Sequence, residues 1–341
     1  MRTFGWSLAV TALGLFVALI LGGPAAVVTI AILAVLEISL SFDNAVVNAT
    51  VLGRMTARWQ RVFLTVGIAI AVFGMRLVVP LLIVAVTARL SPVAVVDLAV
   101  RHGDLYGQKL EAAQPLIAAF GGMFLLLLFL NFIFSEHDEV WLGRLERMLR
   151  AIGRFQHVPL IVACVTVAMI GLYLTGEPEV EAGLLGIVAY LLVNGLGEYF
   201  CDRDPSLRLC EPGGDPPQVS GRAAFFLFLY LEVLDASFSF DGVIGAFAIS
   251  SNLLVIAAGL GIGAMFIRSL TVYLVRKNTL AEYVYLEHGA HWAIGALAVT
   301  MLVSVKTPVP EEISGGVGLV FIGAALLSSI VRNRRFRLEP G

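Results

Sequence analysis

Charge is scarce in this sequence. Asp, Glu, Lys and Arg make up 14% of the 341 residues, where an ordinary soluble domain carries roughly 25%. With hydrophobic residues at 59%, that scarcity excludes a soluble globular domain and points to a polytopic membrane protein. An excess of either sign is missing too. A net charge of −2 offers no basic surface, so no nucleic-acid partner is expected. Cysteine is sparse, and the spacing of Cys164, Cys201 and Cys210 matches no thiolate metal site. Of the five histidines only His291 falls near an apolar span, which argues against an imidazole site. The first apolar run ends in Leu21-Gly22-Gly23-Pro24-Ala25 without a clear small-x-small cleavage site, so it reads as a retained helix and not a signal peptide.

What the chain has in abundance is apolar length. A membrane span needs about 20 mostly apolar residues, and ten such stretches can be read. They cover residues 4–22, 24–53, 61–88, 114–134, 158–175, 182–200, 223–250, 253–275, 290–305 and 314–331. If the N-terminus is cytoplasmic, four of the 23 Lys and Arg residues fall outside (Arg89, Arg101, Lys109, Lys306) and two lie within spans (Arg76, Arg268). The remaining 17 fall inside, a bias of the kind that sets orientation. The expectation is a multi-pass protein of the cell membrane with both termini cytoplasmic.

The second span carries Glu37-Ile-Ser39-Leu-Ser41-Phe-Asp43-Asn44-Ala-Val, and the seventh carries Asp235-Ala-Ser237-Phe-Ser239-Phe-Asp241-Gly242-Val-Ile. Met75-Arg76 likewise pairs with Ile267-Arg268, and Leu110-Glu111 with Leu286-Glu287. An offset of five spans makes the two copies cross in opposite directions. The expected fold is therefore all-α, a membrane helix bundle of about ten spans with two inverted three-span repeats. Residues 24–134 form the first repeat and 223–305 the second. Residues 135–222 link them, and 306–341 hold a final span with a basic tail. Within the linker, residues 135–157 read as a helix with acids first and bases after. Its apolar stripe of Val140, Trp141, Leu145, Met148, Leu149 and Ile152 suits either a solvated linker or a membrane surface. Residues 201–222, with Asp-Pro, Gly-Gly and Pro-Pro, read as a loop.

A carboxylate at mid-membrane costs at least about 2.5–3.5 kcal/mol, so an acid placed there marks a functional site by default. The polar residues of the repeats supply carboxylate, carboxamide and hydroxyl oxygens, a hard donor set suited to Mn²⁺, Mg²⁺ or Ca²⁺. A proton relay or helix-to-helix hydrogen bonding would use the same groups. On an intact helix Glu37 and Asp43 point about 120° apart, and a break near Phe42–Asn44 would bring them together. Gly242 would ease the same break in the other copy. Asn48 continues the face of Asn44 one turn on. Arg76 is too deep to reach the interface and calls for a buried partner, with Asp43 or Asp241 the candidates. Arg268, only eight residues from Arg276, could reach the interface. Glu232, three residues before Asp235, makes the second copy richer in charge.

The first motif resembles the signature of the TerC family of integral membrane proteins. Asp235 through Val243 and Tyr283-Val-Tyr-Leu-Glu287-His-Gly-Ala are similar to that family's second half. The resemblance covers roughly residues 24–134 and 220–331, while 135–222 falls outside its pattern. It implies a relation to the LysE-type exporters, an association with tellurium resistance and, in several branches, manganese export. Carried over by position, it marks Glu37, Asp43, Asn44, Asp235 and Asp241 as the ion-binding set. Ser39, Ser41, Asn48, Arg76, Glu232, Ser237, Ser239 and Arg268 would support them. The expectation is a transporter exporting Mn²⁺ through an acidic midplane site, with the bilayer and the divalent cation as partners and no organic cofactor. Alternatives are a non-transporting membrane subunit for metal loading or stress resistance and, remotely, an intramembrane aspartyl protease using Asp43 and Asp241. Against the protease, neither aspartate follows a Gly-x-Gly step and no Pro-Ala-Leu triplet occurs, so no enzyme activity is expected.

Overall fold

A computed structural model describes residues 4–135, 139–153, 155, 157–174, 177–202, 219–277 and 283–338. Within these, the side chains of residues 43, 173–174, 197–202, 238–241, 248, 311–312, 314 and 335–338 lie outside the described set, as does most of the expected 201–222 loop. Among the described residues every regular element is a helix, apart from one isolated bridge between Met55 and Val219. Among the described residues six helices are long and apolar enough to cross a bilayer: Gly5–Leu40, Ala57–Thr87, Gln114–Phe134, Glu177–Leu196, Leu253–Arg276 and Gly315–Arg334. Their outer faces carry large apolar side chains in the open, Leu21, Val86, Leu254 and Val320 among them. Water would penalise that surface and lipid would not. The chain is a multi-pass membrane protein.

The first helix, α1 (Gly5–Leu40), spans 36 residues, about 54 Å at 1.5 Å per residue and too long for one straight crossing. Gly23 breaks it, with φ 73° and ψ −172°, a conformation open only to glycine. Pro24 follows and cannot supply the N–H that the helix would need. The chain doubles back there. Ser7 bonds Met265 and Ser269 of a later helix, whereas Leu33 and Glu37, beyond the kink, meet Gly259 and Gly263 of that same helix. The Gly-Gly-Pro boundary expected between the first two apolar runs is therefore a fold-back, with both arms along one partner.

A second break falls at Ser41 (φ −98°, ψ 15°), and α2 (Phe42–Leu52) resumes at once. The expected interruption near Phe42 is present, one residue earlier. Its counterpart is not. The second copy of the motif lies in α10 (Gly221–Ile249), a continuous helix of 29 residues that runs through Gly242 unbroken. One glycine in a helix interior costs only about 1 kcal/mol relative to alanine, and packing on both sides of α10 outweighs that.

Between these copies run α3 (Ala57–Thr87), α4 (Pro92–Arg101), α5 (Gly103–Ala112), α6 (Gln114–Phe134), α7 (Arg144–Gly153), α8 (Val158–Met169) and α9 (Glu177–Asp202). After α10 come α11 (Leu253–Arg276), α12 (Leu286–Ser304) and α13 (Glu311–Leu338). Helix α3 is wound wider than an α-helix over Phe63–Gly67 and Ile70–Val78, and such π segments recur at functional sites. The 89–113 connector forms α4 and α5, whose Val95, Ala99, Tyr106 and Leu110 are buried against Leu33, Val243 and Ile256. The most enclosed spans are α6 and α11. They lie in the bundle centre, with α1, α2, α3 and α10 gathered round the polar stretch of α11.

Candidate functional site

Helix α11 builds the site by being narrow. A Cβ at Gly263 would lie 2.5 Å from Cβ of Glu37, and one at Gly259 would lie 2.6 Å from Cβ of Leu33. Small residues four apart let two backbones approach closely in a membrane. Here they admit the second arm of α1 and bring Glu37 into the centre, 1% exposed. On the other side, a Cβ at Gly67 of α3 would overlap the Arg268 guanidinium, at 2.5 Å from Nη1. That space is where Arg268 lies.

Five buried charges then alternate in sign. Arg76 Nη2 donates to Glu37 Oε1 in a short ion pair, and Ser41 Oγ donates to the same oxygen at 3.2 Å. Arg76 Nη1 donates to the Ala71 carbonyl at 2.8 Å and stands 4.0 Å from Asp235 Oδ2. That same Asp235 oxygen accepts from Arg268 Nη2 at 3.0 Å, while Asp235 Oδ1 accepts from Asn44 Nδ2 at 2.7 Å. Arg268 completes the series by gripping Glu232 with both terminal nitrogens, at 2.9 and 3.0 Å. The order Glu37, Arg76, Asp235, Arg268, Glu232 passes through four helices. Every member is at most 5% exposed. The Phe63 ring lies under the Arg268 guanidinium, 4.1 Å from ring centroid to Cζ, a cation–π contact that strengthens when desolvated.

Isolated, any of these charges would be costly in the bundle interior. Paired and hydrogen-bonded, each has its opposite beside it. Three carboxylates face two guanidiniums, so the series carries one negative charge in excess.

The matched residues make matched pairs. Glu37 corresponds to Asp235 in the repeat and Arg76 to Arg268, and the structure pairs Glu37 with Arg76 and Asp235 with Arg268. Contacts also cross reciprocally. Asp235 bonds Asn44 of the first motif. Gly242, which takes the place of Asn44 in the second, lies against Glu37, its ideal Cβ 3.1 Å from Oε2.

A family profile described as "Protein of unknown function (DUF475)" matches residues 42–336. The chain belongs to the DUF475 family. No curated protein and no solved structure matches it. Asn44, Arg76, Glu232, Asp235 and Arg268 lie inside the matched DUF475 region, and Glu37 and Ser41 stand just before it.

Of the residues marked by sequence, Glu37, Ser41, Asn44, Arg76, Glu232, Asp235 and Arg268 come together. Asn48 is buried one turn beyond Asn44, and its Oδ1 has no hydrogen-bond partner among the described residues. Two serines point elsewhere. Ser39 is exposed and donates to the Val35 carbonyl (2.8 Å), and Ser237 donates to the Val233 carbonyl (3.0 Å) beside Gly121 of α6. The side chains of Asp43, Ser239 and Asp241 lie outside the described residues. Among the described residues, no cluster of three or more His, Cys, Asp or Glu is arranged to hold a metal. The described carboxylates of the series are held by arginine instead.

One expectation about the arginines needs correction. Arg268 does not reach the interface: it is 2% exposed, because Glu232 and Asp235 bind it one helix away. The described partner of Arg76 is Glu37, with Asp235 next. Sequence reasoning also missed the glycines. Gly67 precedes Arg76 by nine residues, as Gly259 precedes Arg268. Extending the repeat comparison to small residues would have found them.

Proposed function

We propose that the chain is a transporter that moves a divalent cation across the membrane through the buried charge series. The observation that carries this reading is the series itself: five charges, anionic in sum, held at the contact of the two motif copies. An anionic excess in an apolar interior selects for a cation, and oxygen donors favour a hard one. The likeness to the TerC signature favours Mn²⁺ as the substrate and export as the direction. The paired contacts Glu37–Arg76 and Asp235–Arg268 support an origin in two inverted repeats. Ten spans with cytoplasmic termini, the fuller topology, require that the two arms of α1 cross separately and that α8, α10 and α12 also cross.

In this reading the arginines act as tethered cations. Without substrate, Arg76 and Arg268 neutralise the carboxylates and keep them out of contact with lipid. An arriving divalent cation competes for Asp235, the carboxylate both arginines share. Asn48, one turn beyond Asn44, offers a buried neutral oxygen, and Asp43 and Asp241 belong to the same motifs. Displacement of a guanidinium loosens the contact between the halves, which is what alternating access needs.

The test is metal-by-metal flux in proteoliposomes loaded with Mn²⁺, Mg²⁺, Ca²⁺ or Zn²⁺, for the wild type beside Asp43→Asn and Asp235→Asn. Saturable Mn²⁺ movement that both variants abolish is the expected result. A wild type that moves no ion, or variants that move Mn²⁺ at the wild-type rate, would refute the reading. The second reading, a membrane subunit that binds metal without moving it, predicts binding without flux.

A further inference from the structure

The linking helix α7 has three faces with three different surroundings. One is fixed to the bundle. Glu146, 1% exposed, accepts from the indole N–H of Trp292 on α12 (3.0 Å) and from the backbone N–H of Trp141 (3.0 Å), and His288 Nε2 stands 3.7 Å away. Arg150 on the same side donates to the Glu139 carbonyl at 2.7 Å. The second face is apolar and open: Leu145, Met148 and Ile152, three and four apart, are 47%, 63% and 39% exposed. Beside it run Arg144 and Arg147, also exposed.

Three observations fix where this helix lies. Its axis meets that of the apolar helix beginning at Val158 at 93°, so where that helix stands across a bilayer, α7 lies in the bilayer plane. Its depth follows from Gly153, where a Cβ would lie 2.5 Å from the carbonyl oxygen of Phe134, the last residue of α6. That is the level at which an apolar span ends. Around Glu146, Trp141 and Trp292 pack on Phe321, and Trp292 packs on Phe129. Tryptophan at the end of a span is characteristic of the membrane–water interface.

We infer that α7 is an interfacial helix that binds the anionic headgroups of its own leaflet, with Leu145, Met148 and Ile152 inserted among the acyl chains and Arg144 and Arg147 on lipid phosphates. An apolar stripe with arginine along one border is the form such helices take. Each arginine near an anionic surface is worth about fivefold in the docking equilibrium. Because Glu146 joins α7 to α12, this assignment also ties leaflet charge to the second half of the bundle. It does not depend on what the bundle transports.

The test is a fluorescent nitrobenzoxadiazole label on Met148→Cys, in full-length chain carrying Cys164→Ser, Cys201→Ser and Cys210→Ser. The labelled protein is reconstituted into phosphatidylcholine vesicles with or without phosphatidylglycerol. Met148, Arg144 and Arg147 are all exposed, so these changes leave the packed core alone. With phosphatidylglycerol the emission shifts to the blue and iodide does not quench it. Adding Arg144→Gln and Arg147→Gln moves the balance toward the iodide-accessible state by about fivefold for each arginine. An iodide-accessible label in phosphatidylglycerol vesicles would overturn membrane docking. Equal protection in the two vesicle types, or in the double arginine variant, would overturn the headgroup assignment.

Discussion

Replacing Arg268 with glutamine tests the charge series at its most heavily bonded point. The change removes three charge-assisted hydrogen bonds at 2.9–3.0 Å and leaves Glu232 without its partner, while Asp235 keeps Asn44 and the more distant Arg76. The interior then holds three carboxylates against one guanidinium. Breaking a buried pair from one side costs about 3–5 kcal/mol, because the remaining charge has no compensation. With two carboxylates affected, the upper end of that range is expected. Glu232→Gln combined with Arg268→Gln removes one charge of each sign and restores the original balance. That double variant should recover much of the loss, with a coupling energy at the upper end of the roughly 0.5–3 kcal/mol seen for residues in contact. The assay is unfolding in bicelles followed by tryptophan fluorescence, for the wild type, both single variants and the double. If Arg268→Gln unfolds at the wild-type midpoint, or the double variant is no better than the single, the series does not hold the helices together.

The close approach of α1 to α11 makes a second, steric expectation. Gly263→Leu should cost at least the roughly 1–3 kcal/mol of an overpacked core in the same unfolding assay, whereas Gly316→Ala, where a Cβ meets nothing within 4 Å, should change little. For topology, Lys277→Cys and Lys306→Cys lie on either side of α12 in a Cys164→Ser, Cys201→Ser, Cys210→Ser background. An impermeant maleimide should label position 306 in intact cells and position 277 only after permeabilisation. Labelling of both from outside would remove α12 as a crossing and the three-span form of the second repeat with it.

The repeated motif made the centre of this fold legible before any coordinates. Glu37 matched to Asp235, and Arg76 to Arg268, already named four of the five charges, and the fifth was read as an enrichment of the second copy. The Ser41 break was legible because serine, aspartate and asparagine clustered where an apolar helix should continue. The unbroken α10 was not, since a single glycine decides little when both faces of a helix are packed. Arg268 was misread because distance along the chain to Arg276 was taken as distance to water, whereas Glu232 holds it inside. Glu146 was hidden differently. It sits among bases in a segment that reads as a surface linker, and only α12 folding against it reveals a buried carboxylate. The sign of a charge and its spacing are written in a chain, but the partner it takes from a distant helix is not.

The central claim is that a divalent cation competes with the arginines for Asp235. The most direct measurement is electron paramagnetic resonance of Mn²⁺ titrated with purified protein, since bound Mn²⁺ loses the sharp six-line spectrum of the free ion. The account predicts saturable loss of the free signal for the wild type, and binding weakened by more than about tenfold in Asp235→Asn, as expected when a group that holds the ion is removed. Mn²⁺ that stays free beside the wild-type protein, or that binds Asp235→Asn as tightly, would contradict it.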